Sequence, residues 1–90
     1  MRRPEGALRD YSEAIRLKPD HADAFNNRGN ARRAKGDVEG ALQDYSEAIR
    51  LKPDRADAFN NRGIARSDKG DVEGALQDYS EAIRLGYRHV

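Results

Sequence analysis

An all-α array of stacked helical hairpins is the fold class this sequence predicts, on three observations. The first is a period of 34 residues: Tyr11, Tyr45 and Tyr79 are spaced by it, as are Ala14, Ala48 and Ala82. Residues 5–20 match 39–54 with one exchange, Arg9 for Gln43, and residues 70–85 match 36–51 without change. The second is the placing of apolar residues at the i, i+3, i+4 spacing of one helix face within each copy. The third is punctuation: Gly-Asp and Lys-Pro-Asp alternate between the apolar stretches, and both stop one helix and start another. A unit that cannot bury its apolar face alone buries it on its neighbours, so a fixed period of this length means a helical solenoid.

Taken in order, the chain predicts five helices. Pro4 can open the first, because a proline lacks only an N–H that is unpaired there anyway. Ala7, Leu8, Tyr11, Ala14 and Ile15 form its apolar face over 4–17. Lys18-Pro19-Asp20 ends it, since the residue before proline is driven out of the α region. The second helix spans 22 to about 35, with Asp20 expected to accept from its first free N–H groups. Ala24, Phe25, Gly29 and Ala31 form its packing side. Gly36 is the C-terminal glycine and Asp37 the next N-cap. The third helix, 38–51, carries Val38, Ala41, Leu42, Tyr45, Ala48, Ile49 and Leu51 on one stripe. The pair recurs over 56–69 and 72–85. Tyr11, Tyr45, Tyr79, Phe25 and Phe59 all fall at expected core positions. Gly86-Tyr87 replaces the Lys-Pro that the period predicts, so 86–90 read as a frayed tail. One domain over 1–90 follows: a half repeat (4–21), a full repeat (22–55), and a full repeat with a degenerate end (56–89).

Bulk properties exclude several function classes. Hydrophobic and charged residues are each 37% of the chain, and the formal net charge is +1. Acids and bases are interleaved, which is the pattern of a solvated helical surface. No basic stripe with aromatic platforms points to nucleic acid. No cysteine is present, so there is neither a disulfide framework nor a thiolate metal site. No apolar run approaches a membrane span or a signal-peptide core, and a soluble cytoplasmic protein is the expectation. Nearly every polar residue is a copy of another, whereas catalysis needs a unique constellation. His21 and His89 are the two histidines and stand far apart. The expectation is no enzyme, no cofactor and no metal.

Phe25, Arg28-Gly29, Arg32, Ala41, Tyr45 and Pro53 fall at a spacing that resembles the tetratricopeptide repeat (TPR) pattern. Phe59, Arg62-Gly63, Arg66, Ala75 and Tyr79 repeat it, and the resemblance covers nearly the whole chain. It implies a right-handed superhelix of helix pairs, here an orphan second helix followed by two full pairs. It also implies a concave groove, lined by the first helix of each pair, that holds a peptide or a partner helix. Two departures stand out. Arg28 and Arg62 replace the usual leucine before the glycine, and Arg32 and Arg66 replace the usual tyrosine after it. An arginine on a packing face needs a partner or a route to water. Asp44 and Asp78 recur in register with Arg28 and Arg62, so ion pairs within each repeat are expected.

Between 22–51 and 56–85 only three of thirty positions differ: Asn30/Ile64, Arg33/Ser67 and Ala34/Asp68. All three fall on first helices, where the resemblance places the groove. Asp23, Asn26, Asn30, Arg33, Asp57, Asn60, Asn61, Ile64 and Ser67 are the candidate ligand-binding residues. The family's clamp for acidic C-terminal peptides uses Lys, Asn and Arg over three repeats. Asn30 and Asn61 stand at clamp-like positions, but Asn26 replaces the first Lys and the third first helix is missing. That clamp is therefore not expected. The end helices copy residues that would be buried in the middle of an array. Leu8, Tyr11, Tyr79 and Ile83 are the candidate self-association residues, with a homodimer or higher oligomer expected. The function these readings support is a scaffold for a protein or peptide partner, without nucleic acid or membrane. The alternative is a purely structural repeat protein, designed or excerpted from a longer array, that self-assembles by domain swapping or end to end without a cognate ligand.

Overall fold

A computed structural model describes residues 4–87. Five helices follow one another: α1 (Pro4–Leu17), α2 (Ala22–Ala34), α3 (Val38–Leu51), α4 (Ala56–Asp68) and α5 (Val72–Arg84). There is no strand among the described residues. Each helix packs on the next, so α2 lies between α1 and α3, and α4 between α3 and α5. The period of the sequence is thus the period of the stack.

Local chemistry sets the bounds. The Asp37 carboxylate accepts from the Gly40 N–H at 2.9 Å, and Asp71 does the same for Gly74 at 3.0 Å. Both aspartates are true N-caps that satisfy one of the orphan donors of the first turn. The cap explains the mid-helix glycine: a Cβ on Gly40 would lie 2.2 Å from Asp37 Oδ2. The α2 cap differs from expectation. His21 holds the N-cap position without a side-chain bond, and Arg55 does so for α4. The His21 N–H donates to the Lys18 carbonyl at 3.1 Å, which closes a turn over 18–21. Pro19 suits the second place of that turn, and Asp20 falls inside it, one residue before the cap.

Small residues let the two helices of a pair approach. Gly29 lies against the Tyr45 ring, where a Cβ would come within 2.5 Å of Cε1. Ala41, Tyr45 and Ala65 form the central cluster, with Val38 and Leu42 packed against it. Tyr45 alone of the expected core aromatics is fully buried. Tyr11, Tyr79, Phe25 and Phe59 are half-buried. For the tyrosines the physical reason is position, since only Tyr45 has a first helix on both sides; Phe25 and Phe59 lie under the guanidinium groups of Arg28 and Arg62.

The Arg–Asp pairs form as the repeated register predicts. Arg28 grips Asp44 bidentately, Nε to Oδ2 and Nη2 to Oδ1, both at 2.8 Å. Arg62 grips Asp78 in the same way at 2.9 and 2.8 Å. Each carboxylate also takes a second arginine, Arg32 at 3.1 Å and Arg66 at 3.0 Å. The first arginine of each pair reaches back across the stack as well, Arg28 to Ser12 Oγ and Arg62 to Ser46 Oγ, each at 3.3 Å. Each also lies over a phenylalanine ring, Phe25 or Phe59, at 5.5 Å.

The end of α5 corrects the expected frayed tail. Gly86 has φ 100°, matching Gly36 at 93° and Gly70 at 86°. The Gly86 N–H donates to the Ile83 carbonyl at 3.0 Å, and the Tyr87 N–H to Ala82 at 2.9 Å. This pair of bonds is a Schellman cap, which glycine permits by entering the left-handed region. Residues 88–90 of the expected tail lie outside the described residues.

Candidate functional site

The first helices α2 and α4 run side by side, and their facing residues are tied together. Arg55, just before α4, donates to Asp57 Oδ1 at 2.8 Å and forms an ion pair with Asp23 on α2. Its guanidinium holds the Asp57 carboxyl below the usual carboxylate range. Asn26 accepts from Asn61 Nδ2 at 3.1 Å and donates to Asp57 Oδ2 at 3.4 Å. Toward the far end of the helices, Arg33 Nε donates to Asp68 Oδ2 at 2.7 Å. Two of the three positions that distinguish the copies therefore meet each other. The third difference also has a contact: Asn30 Oδ1 accepts from the Tyr45 hydroxyl at 2.6 Å. In the following repeat Ile64 replaces that amide.

The structure sorts the candidate groove residues into two groups. Asn30 and Ser67 are exposed, and Arg33, Asn61 and Ile64 are half-buried on the same wall. Asp23 is exposed but paired, and Asp57 is half-buried and paired. Asn26 and Asn60 are corrected as groove-facing groups: only 2% and 3% of their surfaces are exposed. The Asn26 amide is used between layers of the stack, and the Asn60 amide is turned to Tyr87. That placement depends on the angle at which one repeat settles on the next, which residue spacing does not specify. Among the candidate self-association residues, Ile83 is 70% exposed, while Leu8, Tyr11 and Tyr79 are half-buried.

A cavity of about 480 Å³ opens beside this wall, lined by Asn60, Ile64, Tyr79, Ile83 and Tyr87. Asn60 Nδ2 donates to the Tyr87 hydroxyl at 3.1 Å. Sequence reasoning missed Tyr87. The signal was available, because Leu85-Gly86-Tyr87 places a glycine after α5 as Lys35-Gly36-Asp37 does after α2. Arg55 was missed as well, although its exchange for His21 marks the one place where the two interhelix turns differ.

This geometry is a stack of helix hairpins. A family model described as TPR repeat matches residues 3–32 and 29–68. The chain belongs to the tetratricopeptide repeat family. Mouse tetratricopeptide repeat protein 36 is 56% identical over 32 residues, which is 36% of this chain and 17% of that protein. The chain thus spans less than a fifth of that relative's length. Among solved structures, the second TPR domain of Spaghetti (RPAP3) bound to the HSP90 peptide SRMEEVD superposes with a TM-score of 0.88. It is 30% identical, over 91% of this chain and 76% of that one. MamA superposes at 0.87 with 26% identity, over 91% of this chain and 48% of that one. TPR repeats are protein-interaction scaffolds, and this chain has their helical architecture.

Proposed function

We propose that this protein is a non-catalytic scaffold that holds a short segment of a partner protein along the wall formed by α2 and α4. One observation carries the reading: the three positions at which the two repeats differ all lie on this wall, and the remaining twenty-seven are identical. Asn30, Arg33 and Ser67 offer polar contacts there, and Ile64 an apolar one. The peptide-bound Spaghetti domain supports the mode of binding. It does not carry over the acidic peptide, because Arg28, Arg32, Arg62 and Arg66 are all engaged by buried aspartates.

An immobilised peptide array tests this. The variant Asn30→Ile with Arg33→Ser and Ala34→Asp makes the two repeats the same. It should lose or change the set of peptides bound by the natural chain. An unchanged set, with unchanged affinities, would remove the wall as the source of specificity.

A second reading, self-association, is favoured by the outer face of α5, where Val72, Leu76 and Ile83 are 62%, 59% and 70% exposed. Molar mass by light scattering across concentration decides it. A constant 10 kDa would exclude it.

A further inference from the structure

The bonds between α2 and α4 give each first helix two edges. On α2 the residues that reach α4 are Asn26 and Arg33, two helical turns apart. On α4 the residues that reach back to α2 are Asp57, Asn61 and Asp68. A forward edge thus faces the next first helix, and a backward edge faces the one before. Position 33 and its counterpart 67 lie on the forward edge; position 68 and its counterpart 34 lie on the backward edge. Asn26, Asp57 and Asn61 have identical counterparts in the other repeat, Asn60, Asp23 and Asn27. The contacts they make are therefore open to any two units and carry no information about order.

The three differences do carry it. The first repeat has Arg33 forward and Ala34 backward, and the second has Ser67 forward and Asp68 backward. Two units of the first kind would set arginine against alanine. Two of the second kind would set serine against aspartate, and the reverse order serine against alanine. Only the order found joins opposite charges, Arg33 Nε to Asp68 Oδ2 at 2.7 Å. The remaining difference acts in the same sense. Tyr45 is fully buried where α4 covers it, and its hydroxyl donates to Asn30 at 2.6 Å. A unit with isoleucine at that position, as in the second repeat, offers the covered phenol no acceptor. We propose that Asn30, Arg33 and Asp68 form a neighbour code that fixes which repeat stacks after which. Units this alike could otherwise exchange places, within a chain or between chains, at little cost. A contact available in one order alone works against such exchange.

The code is independent of any ligand on the α2–α4 wall, because it is read from stability with no peptide present. Urea denaturation of the full chain, followed by circular dichroism, tests it. The order-reversed chain, N30I/R33S/A34D with I64N/S67R/D68A, keeps the composition and exchanges the three residues between repeats. Its folding constant should fall at least about fivefold, the lower limit for a buried hydroxyl deprived of its acceptor. The side chains of Arg33 and Asp68 are 38% and 39% exposed, so theirs is a solvent-screened pair. Arg33→Ser and Asp68→Ala should each lower the constant by about two- to fivefold. The double variant should lose no more than either single one, since both remove the same contact. Salt at about 1 M should erase this coupling and leave the effect of Asn30→Ile in place. These exposed substitutions give a result even where the reversed chain fails to fold. A reversed chain as stable as the natural one would overturn the code, and so would additive losses from Arg33→Ser and Asp68→Ala.

Discussion

Asp44 is 2% exposed and accepts from two arginines, so its charge is held out of water only because Arg28 and Arg32 surround it. A buried pair of this kind is weak evidence for stability in itself, since the desolvation cost offsets much of the attraction. Breaking one is a different matter, because it leaves the other charge without compensation. Asp44→Ala is therefore expected to cost about 3–5 kcal/mol, a large part of the 5–15 kcal/mol typical of a whole domain. Urea denaturation of the variant measures it; a cost below about 1 kcal/mol would show the carboxylate to be dispensable. Tyr45 sets a second expectation at this scale. Burial pushes its phenol up to about 12 from the ordinary 10. A raised acid favours the neutral form in the fold, so this contribution is complete below pH 10 and is lost as pH rises through 12. Phenolate absorbance should show Tyr45 ionising late, together with loss of helical signal. Tyr45→Phe should remove that late step.

The two helix pairs provide an internal control at the scale of the element. Gly29 and Gly63 meet Tyr45 and Tyr79 in the same way, with a built Cβ 2.5 and 2.7 Å from the ring. The rings differ in freedom: Tyr45 is sealed, whereas Tyr79 borders an open cavity and can shift. Overpacking costs about 1–3 kcal/mol, so Gly29→Ala should lie near the top of that range and Gly63→Ala near the bottom. Equal melting-temperature losses would show that the cavity gives Tyr79 no room. What could be read from sequence follows the same division. Helix bounds were legible because Gly36, Asp37 and Pro53 act on their own neighbours. The Arg28–Asp44 pair was legible because both partners recur together every 34 residues. The burial of Asn26 was not, since its partners, Asp57 and Asn61, lie on another repeat and meet it only at the observed stacking angle. Tyr87 was hidden by being unique: repeat logic marks it as the place where the pattern stops, while its bond with Asn60 depends on where the Gly86 turn carries it.

At the scale of the whole stack, identical sequences occupy different environments among the described residues. Leu42 and Leu76 have the same neighbours in sequence. Leu42 is covered by α4, and Leu76 is 59% exposed. A stack of near-identical units is stabilised by each unit and by each interface. The value of a leucine thus depends on whether an interface exists on its side. Leu42→Ala should cost about 2 kcal/mol, the lower end of the range for truncating a packed leucine. Leu76→Ala should change stability by less than about 0.5 kcal/mol, as for a surface site. Both are read from urea midpoints at low protein concentration, then repeated at high concentration. If Leu76→Ala becomes costly only when the protein is concentrated, the α5 face is being covered by a second copy, and the exposed leucine belongs to an interface between chains. If it stays neutral throughout, no second copy covers the α5 face, and self-association through it is excluded.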